Sequence, residues 1–180
     1  MSTKTNARRV VTPLGRLSYA NIFKPNAINE GDVPKYSCEL IFDKDEDIAA
    51  LRAAANLAAE EKFGIGKVPK KLRSPFRDGE DRDQPAYEGK IFIGARSKDR
   101  PGVIVGPNRD ECIDESEVYS GCYCRISVTA FAYDFQGNKG VSFALNHVWK
   151  VKDGESFGSR IDAADEFESF AEASDGSGLL

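Results

Sequence analysis

The residue types best suited to chemistry gather between 122 and 134, CYCRISVTAFAYD. In an extended chain this stretch divides into two faces. Cys122, Cys124, Ile126, Val128, Ala130 and Ala132 lie on one, and Tyr123, Arg125, Ser127, Thr129, Phe131 and Tyr133 on the other. The first is a core face. The second sets large flat rings among a cation and hydroxyls, a surface suited to something flat and negatively charged.

KIFIGARS (90–97) repeats the pattern, with Ile91, Ile93 and Ala95 opposed to Lys90, Phe92, Gly94 and Arg96. The preceding stretch, 64–89, holds three prolines and four glycines together with Lys67, Lys70, Lys71, Arg73, Phe76, Arg77, Arg82 and Tyr87. It reads as a long basic loop, and a loop of that length inside a compact domain is usually functional or disordered. Rings and cations on two strands and a loop match the chemistry of single-stranded nucleic acid. Its exposed bases stack on aromatic side chains at about 1–3 kcal/mol each while cations follow the phosphates. The candidate contacts are therefore Tyr123, Phe131, Tyr133 and Phe92 for stacking, with Phe76 and Tyr87 from the loop. Arg125, Arg96, Lys90, Lys70, Lys71, Arg73 and Arg77 would neutralise phosphates. The competing reading packs these rings as a second core, beneath the helix or against a second copy, and makes the chain an interaction or oligomerisation module.

Other constellations resolve into structure. Asp43, Asp45 and Asp47 fall at the first three ligand positions of a calcium loop, but Ile48 stands where its glycine belongs and Ala54 where its glutamate belongs. Acids before a helix explain them better. GIGK (64–67) lacks both the upstream glycine and the following Ser or Thr of a phosphate loop. Cys112, Cys122 and Cys124 match no common zinc spacing, so buried thiols are the simpler reading. The single histidine, His147, shares a period with Val141, Phe143, Leu145 and Trp149, which predicts an inward, satisfied ring. No nucleophile or paired acid stands in a defined context, and neither an enzyme, a metal nor a cofactor is called for.

The positioning elements follow from periodicity. VVTPLGRLSYANIF (10–23) reads as one bent strand or two short ones, YSCELIF (36–42) as a strand, and DIAALRAAANLAAEEKF (47–63) as an Ala-rich helix closed by Gly64. PGVIVGP gives a short strand, and VSFALNHVWKV (141–151) a long one joined to the 122–134 strand through FQGNKG. Many strands, one helix and mostly local connections predict an all-β, OB-fold-like five-stranded barrel with an inserted helix, over residues 1–155. Residues 156–180 read as a flexible acidic tail with at most one short helical segment near Phe167 and Phe170.

Charge is segregated along the chain. Of 25 basic and 29 acidic side chains, residues 151–180 hold 2 and 8, whereas residues 62–100 hold 11 and 6. A basic stretch and an acidic tail suit a polyanion partner with a tail able to compete for its place. No run approaches the roughly 18 apolar residues of a membrane span, and the polar start lacks a signal's apolar region, so a cytoplasmic protein is expected.

Six stretches, TPLGRLSYANIFKP, YSCELIFDK, RSPFRDGEDRDQPAYEG, ARSKDRPGV, VYSGCYCRISVTAFAYD and GNKGVSFALNHVWKVKDGE, together resemble bacteriophage replicative single-stranded-DNA-binding proteins over almost all of residues 12–155. The resemblance implies an OB fold, single-strand binding with little sequence preference during replication or recombination, and an acidic tail that meets replication proteins or occludes the DNA cleft. It also implies a place in the host bacterial cytoplasm. The tail departs from the family pattern: it ends Gly178, Leu179, Leu180 where relatives often end in an aromatic residue.

Overall fold

The computed structural model describes residues 7–27 and 29–157. The chain opens with β1 (Arg9–Val11), β2 (Gly15–Asn26) and β3 (Lys35–Asp43), followed by helix α1 (Ala49–Phe63). Next come β4 (Phe76–Asp78), β5 (Lys90–Ser97), β6 (Gly102–Val105), β7 (Asp110–Glu111), β8 (Tyr123–Phe135) and β9 (Asn138–Lys152). Five of these close on themselves: β2 pairs with β3, β3 with β5, β5 with β9, β9 with β8, and β8 with β2. All five ladders are antiparallel except β5–β9. This is the expected five-stranded barrel, and closure removes the free edges of its central strands.

The strand boundaries follow the residues. Pro13 and Leu14 interrupt the first run, so it forms two strands, and Thr12 between them is wholly buried. Its backbone N–H donates to Ile126 O at 2.9 Å and its Oγ1 accepts from Ile126 N–H at 3.0 Å, which stitches the break onto β8. The β8–β9 turn places Gln136 at φ 52° and Gly137 at φ 82°, the paired left-handed conformations of a tight hairpin.

Inside the barrel, Leu17, Leu40, Ile93, Cys124, Ile126, Val128 and Val148 are among the most enclosed side chains. Helix α1 lies over this core through Leu51, Ala54, Ala55, Ala58 and Ala59, and packs against β8, β9 and β1. Alanines let the helix approach closely. Asp47 Oδ1 accepts from Ala49 N–H at 3.0 Å, so one of the three aspartates before the helix binds its first residue, while Asp43 pairs with Lys90. At its far end Gly64, at φ 98°, donates its N–H to Glu60 O at 2.8 Å. Among the described residues no helix is long and apolar enough to cross a membrane.

The cysteines are free thiols, with Cys38, Cys122 and Cys124 buried and Cys112 half-buried. Cys122 and Cys124 Sγ lie 3.5 Å apart, and the hydrogen bond between them lowers the Cys122 thiol below its ordinary range. Burial pushes Cys38 up to about 12. Among the described residues no group of three or more His, Cys, Asp or Glu is placed to hold a metal ion.

One expectation for β9 fails. The β8–β9 register pairs Val128 with Leu145 but Ser127 with His147, leaving Asn146 as an extra residue. This bulge shifts the alternation by one. Val141, Phe143 and Leu145 face inward as expected, but after the bulge Val148 and Lys150 take the inward places while His147 is exposed. His147 is therefore an outward residue whose Nδ1 accepts from Gly102 N–H at 3.2 Å. Of the tail expected over residues 156–180, Phe157 still bonds to the barrel, its N–H donating to Ser120 O at 2.9 Å, and residues 158–180, with Phe167 and Phe170, lie outside the described residues.

Candidate nucleic-acid interface

The two-faced reading of β8 holds along its length. Cys124, Ile126, Val128 and Ala130 are sealed in the core, Arg125 and Phe131 are exposed, and Tyr123 and Tyr133 are half-buried. Each outward residue has an outward neighbour on the flanking strands. Tyr123 pairs with Arg16 of β2 and with Lys152 of β9, and both cations approach its ring, at 5.5 Å and 4.8 Å from the centroid. Arg125 stands opposite Trp149, whose Nε1–H donates to Gly106 O at 2.9 Å.

A third row carries the surface round the barrel: Arg9 beside Thr129, Thr129 beside Ala144, Ala144 beside Arg96, and Arg96 beside Ser37. Small side chains form its floor, and an exposed arginine stands at Arg9 and at Arg96. At the hairpin end Phe131 sits opposite Ser142 and Tyr133 opposite Gly140. The loop after α1 returns to this point, with Arg73 N–H donating to Lys139 O at 2.9 Å and Val141 N–H to Arg73 O at 3.1 Å. A Cβ at Gly140 would lie 2.4 Å from Tyr133 Oη and 2.9 Å from Arg73 Cβ, so the glycine lets the tyrosine and the loop close over β9.

The structure thus brings Tyr123, Arg125, Phe131, Tyr133, Arg96 and Arg73 onto one continuous outer surface. It adds Trp149, His147, Arg9 and Arg16, which sequence reasoning missed. Nothing in the alternation of VSFALNHVWKV signals the bulge that turns Trp149 outward, and Arg9 and Arg16 gain their place only through pairing with β8. Lys70 and Lys71 are exposed on the loop before Arg73.

Other expected contacts have different roles. Phe92 and Tyr87 are 1% and 0% exposed. With Ile41 they form a second small cluster outside the barrel, their rings edge to face at 5.0 Å. Neither can offer a face to a base here, because the 79–89 strap folds over β3 and β5 and needs apolar anchors. The Tyr87 hydroxyl lies 2.8 Å from Ser18 Oγ and 2.9 Å from Glu39 Oε1. Burial holds this phenol above its ordinary pKa, so it donates to the carboxylate.

Phe76 pairs with Ile93 and turns inward, its ring 5.9 Å from that of Phe143 at 72° and capped by Arg52 at 4.9 Å. Lys90 is tied to Asp43. Arg77 lies over Phe92 at 5.1 Å. Among the described residues, Arg9, Arg73, Arg77, Arg96, Arg125, Lys70 and Lys71 have no carboxylate partner, whereas Arg82 and Lys90 do. Unpaired cations beside exposed rings can meet phosphates without first losing an ion pair.

Comparison with known proteins identifies the family and the fold. The family described as Enterobacter phage Enc34, ssDNA-binding protein, matches residues 8–177. Protein p50 of Acyrthosiphon pisum secondary endosymbiont phage 1 is 28% identical over 169 residues, covering 88% of this chain and 91% of p50. The single-stranded DNA-binding protein of bacteriophage Enc34, solved in complex with ssDNA, superposes with a TM-score of 0.73 at 27% identity, covering 88% of this chain and 96% of that one. The single-stranded DNA-binding protein gp2.5 of bacteriophage T7 shares the fold, with a TM-score of 0.62 at 14% identity over 86% of this chain and 97% of its own. Matched over nearly its whole length and built on the same barrel, this chain belongs to the family of the Enterobacter phage Enc34 single-stranded-DNA-binding protein.

Proposed function

We propose that the chain coats single-stranded DNA without reading its sequence, as part of phage DNA replication or recombination in the host bacterial cytoplasm. The supporting observation is the outer row of Tyr123, Arg125, Phe131 and Tyr133 on β8, flanked by Trp149, Arg96, Arg9 and Arg73, which sets the exposed Phe131 and the half-buried Tyr123, Tyr133 and Trp149 among cations that have no carboxylate partner among the described residues. Bases stack on the rings and phosphates meet the cations. Neither contact depends on which base is present. Lys70 and Lys71 extend the positive field beyond Arg73.

The acidic segment, with 8 acids in residues 151–180, competes for the same cations and is the part offered to replication proteins once DNA has displaced it. The test of the binding reading is titration of labelled oligo-dT and a duplex of equal length. Deleting residues 161–180 tests the competition separately: tighter binding supports it, and unchanged affinity removes it.

A further inference from the structure

We infer that Tyr19 is a base-stacking residue at the far end of the DNA path, placed there by a bulge in β2. This rests on the single-strand reading above. In a regular strand Tyr19 would share the inward face of Leu17, two residues before it. The β2–β3 register prevents this: Ser18 pairs with Glu39 and Asn21 with Ser37, so β2 spends one residue more than β3 between the two pairs. The insertion turns Tyr19 out of the core to 44% exposure and lets Ile22 take the inward place at 0%. Bulges re-aim side chains in this way.

The conformation is costly for a bulky residue. Tyr19 has φ 46°, in the left-handed region that tyrosine rarely enters. The fold nonetheless holds the ring firmly from one side. Gln84 Nε2–H donates to its hydroxyl, and the Arg82 guanidinium lies 5.5 Å from its centroid. Arg82 is itself fixed to Glu39 Oε2 at 2.7 Å. A large ring, braced on one side and open to solvent, is a platform prepared before its ligand arrives.

The position continues the surface already described. Asn21 Nδ2 reaches Ser37 Oγ at 3.5 Å, Ser37 pairs with Arg96, and Arg96 with Ala144 on the row leading to Thr129 and β8. A strand crossing that row from Phe131 and Thr129 passes Arg96 and reaches Tyr19. Oligonucleotides commonly cross this side of OB barrels.

Tyr19→Asn tests the inference, because asparagine tolerates the left-handed conformation and lacks the ring. Affinity for oligo-dT, measured by fluorescence anisotropy, should fall roughly 5- to 160-fold, the range for one stacked base, with a melting temperature no lower than the parent's. A Tyr19→Trp change in a Trp149→Phe background should give an indole whose emission is quenched by oligo-dT and not by duplex. Parental affinity in Tyr19→Asn, or an affinity loss explained by a lowered melting temperature, overturns the inference and leaves the single-strand reading standing. Failure of the parent chain to bind oligo-dT removes both.

Discussion

Arg125 and Trp149 face each other across the β8–β9 ladder on the outer surface of the barrel, although simple alternation along β9 would have put the indole in the core. The bulge at Asn146 makes the difference. Its Nδ2 donates to Thr129 Oγ1 at 2.9 Å, which ties the extra residue to the same outward row. Trp149 is the chain's one tryptophan, so its emission reports on this surface. Oligo-dT should quench or shift it, and Arg125→Glu should weaken binding by more than tenfold while leaving the free protein's emission near the parent's.

Phe131, 40% exposed, and Tyr123, held between Arg16 and Lys152, should behave as contact rings. Alanine at either should cost about 1–3 kcal/mol of single-strand affinity. Denaturant midpoints should move little for Phe131→Ala. A loss of stability that matches the loss of binding would mark these rings as packing residues.

Phe92 and Tyr87 should show the opposite pattern. Phe92→Ala empties the cluster beneath Arg77 and Arg82 and should destabilise the fold by about 3–5 kcal/mol. Tyr87→Phe removes the hydroxyl that donates to Glu39 and accepts from Ser18, and should cost about 1–3 kcal/mol. Urea unfolding measures both, and Tyr87→Phe, once folded, should retain most of its single-strand affinity.

The salt dependence separates the cations. Each phosphate neutralised on a single strand contributes roughly −0.7 to the slope of log K against log salt. Arg73→Ala and Arg96→Ala should each reduce the slope by about that amount. Lys90→Ala should change it less, because Lys90 is engaged by Asp43. Titrations at several salt concentrations decide this.

Thiol accessibility checks the barrel itself. Cys112 is half-buried, and Cys38, Cys122 and Cys124 are sealed, so iodoacetamide should label Cys112 slowly and the other three only after unfolding. The Cys112 thiol is raised by burial and then by Glu117, Asp114 and Glu115, so its labelling should quicken as pH rises above the ordinary thiol range. Rapid native labelling of Cys122 would contradict the packing at this end of β8.

How much of this was legible in the residues varies by element. The faces of β8 and β5 follow from strict alternation in CYCRISVTAFAYD and KIFIGARS, and α1 from its alanine run. Barrel closure was legible only as a class. Two kinds of information were missing. Bulges at Tyr19 and Asn146 reset which side chains face outward, and they depend on cross-strand register, which no local pattern encodes. The 79–89 strap covers Phe92 because Gly79 permits a backbone approach in which a Cβ would lie 1.8 Å from Tyr87 O. A ring on an outward strand position is a contact candidate only if nothing folds over it.

The most direct test of the account is anisotropy of labelled oligo-dT and of a duplex of the same length, each titrated with the full chain at two salt concentrations. The account predicts tight binding to the single strand, weakened by salt, and little binding to the duplex. Equal affinity for both, or binding to neither, would contradict it and make the ring-bearing face of β8 and β9 a protein contact.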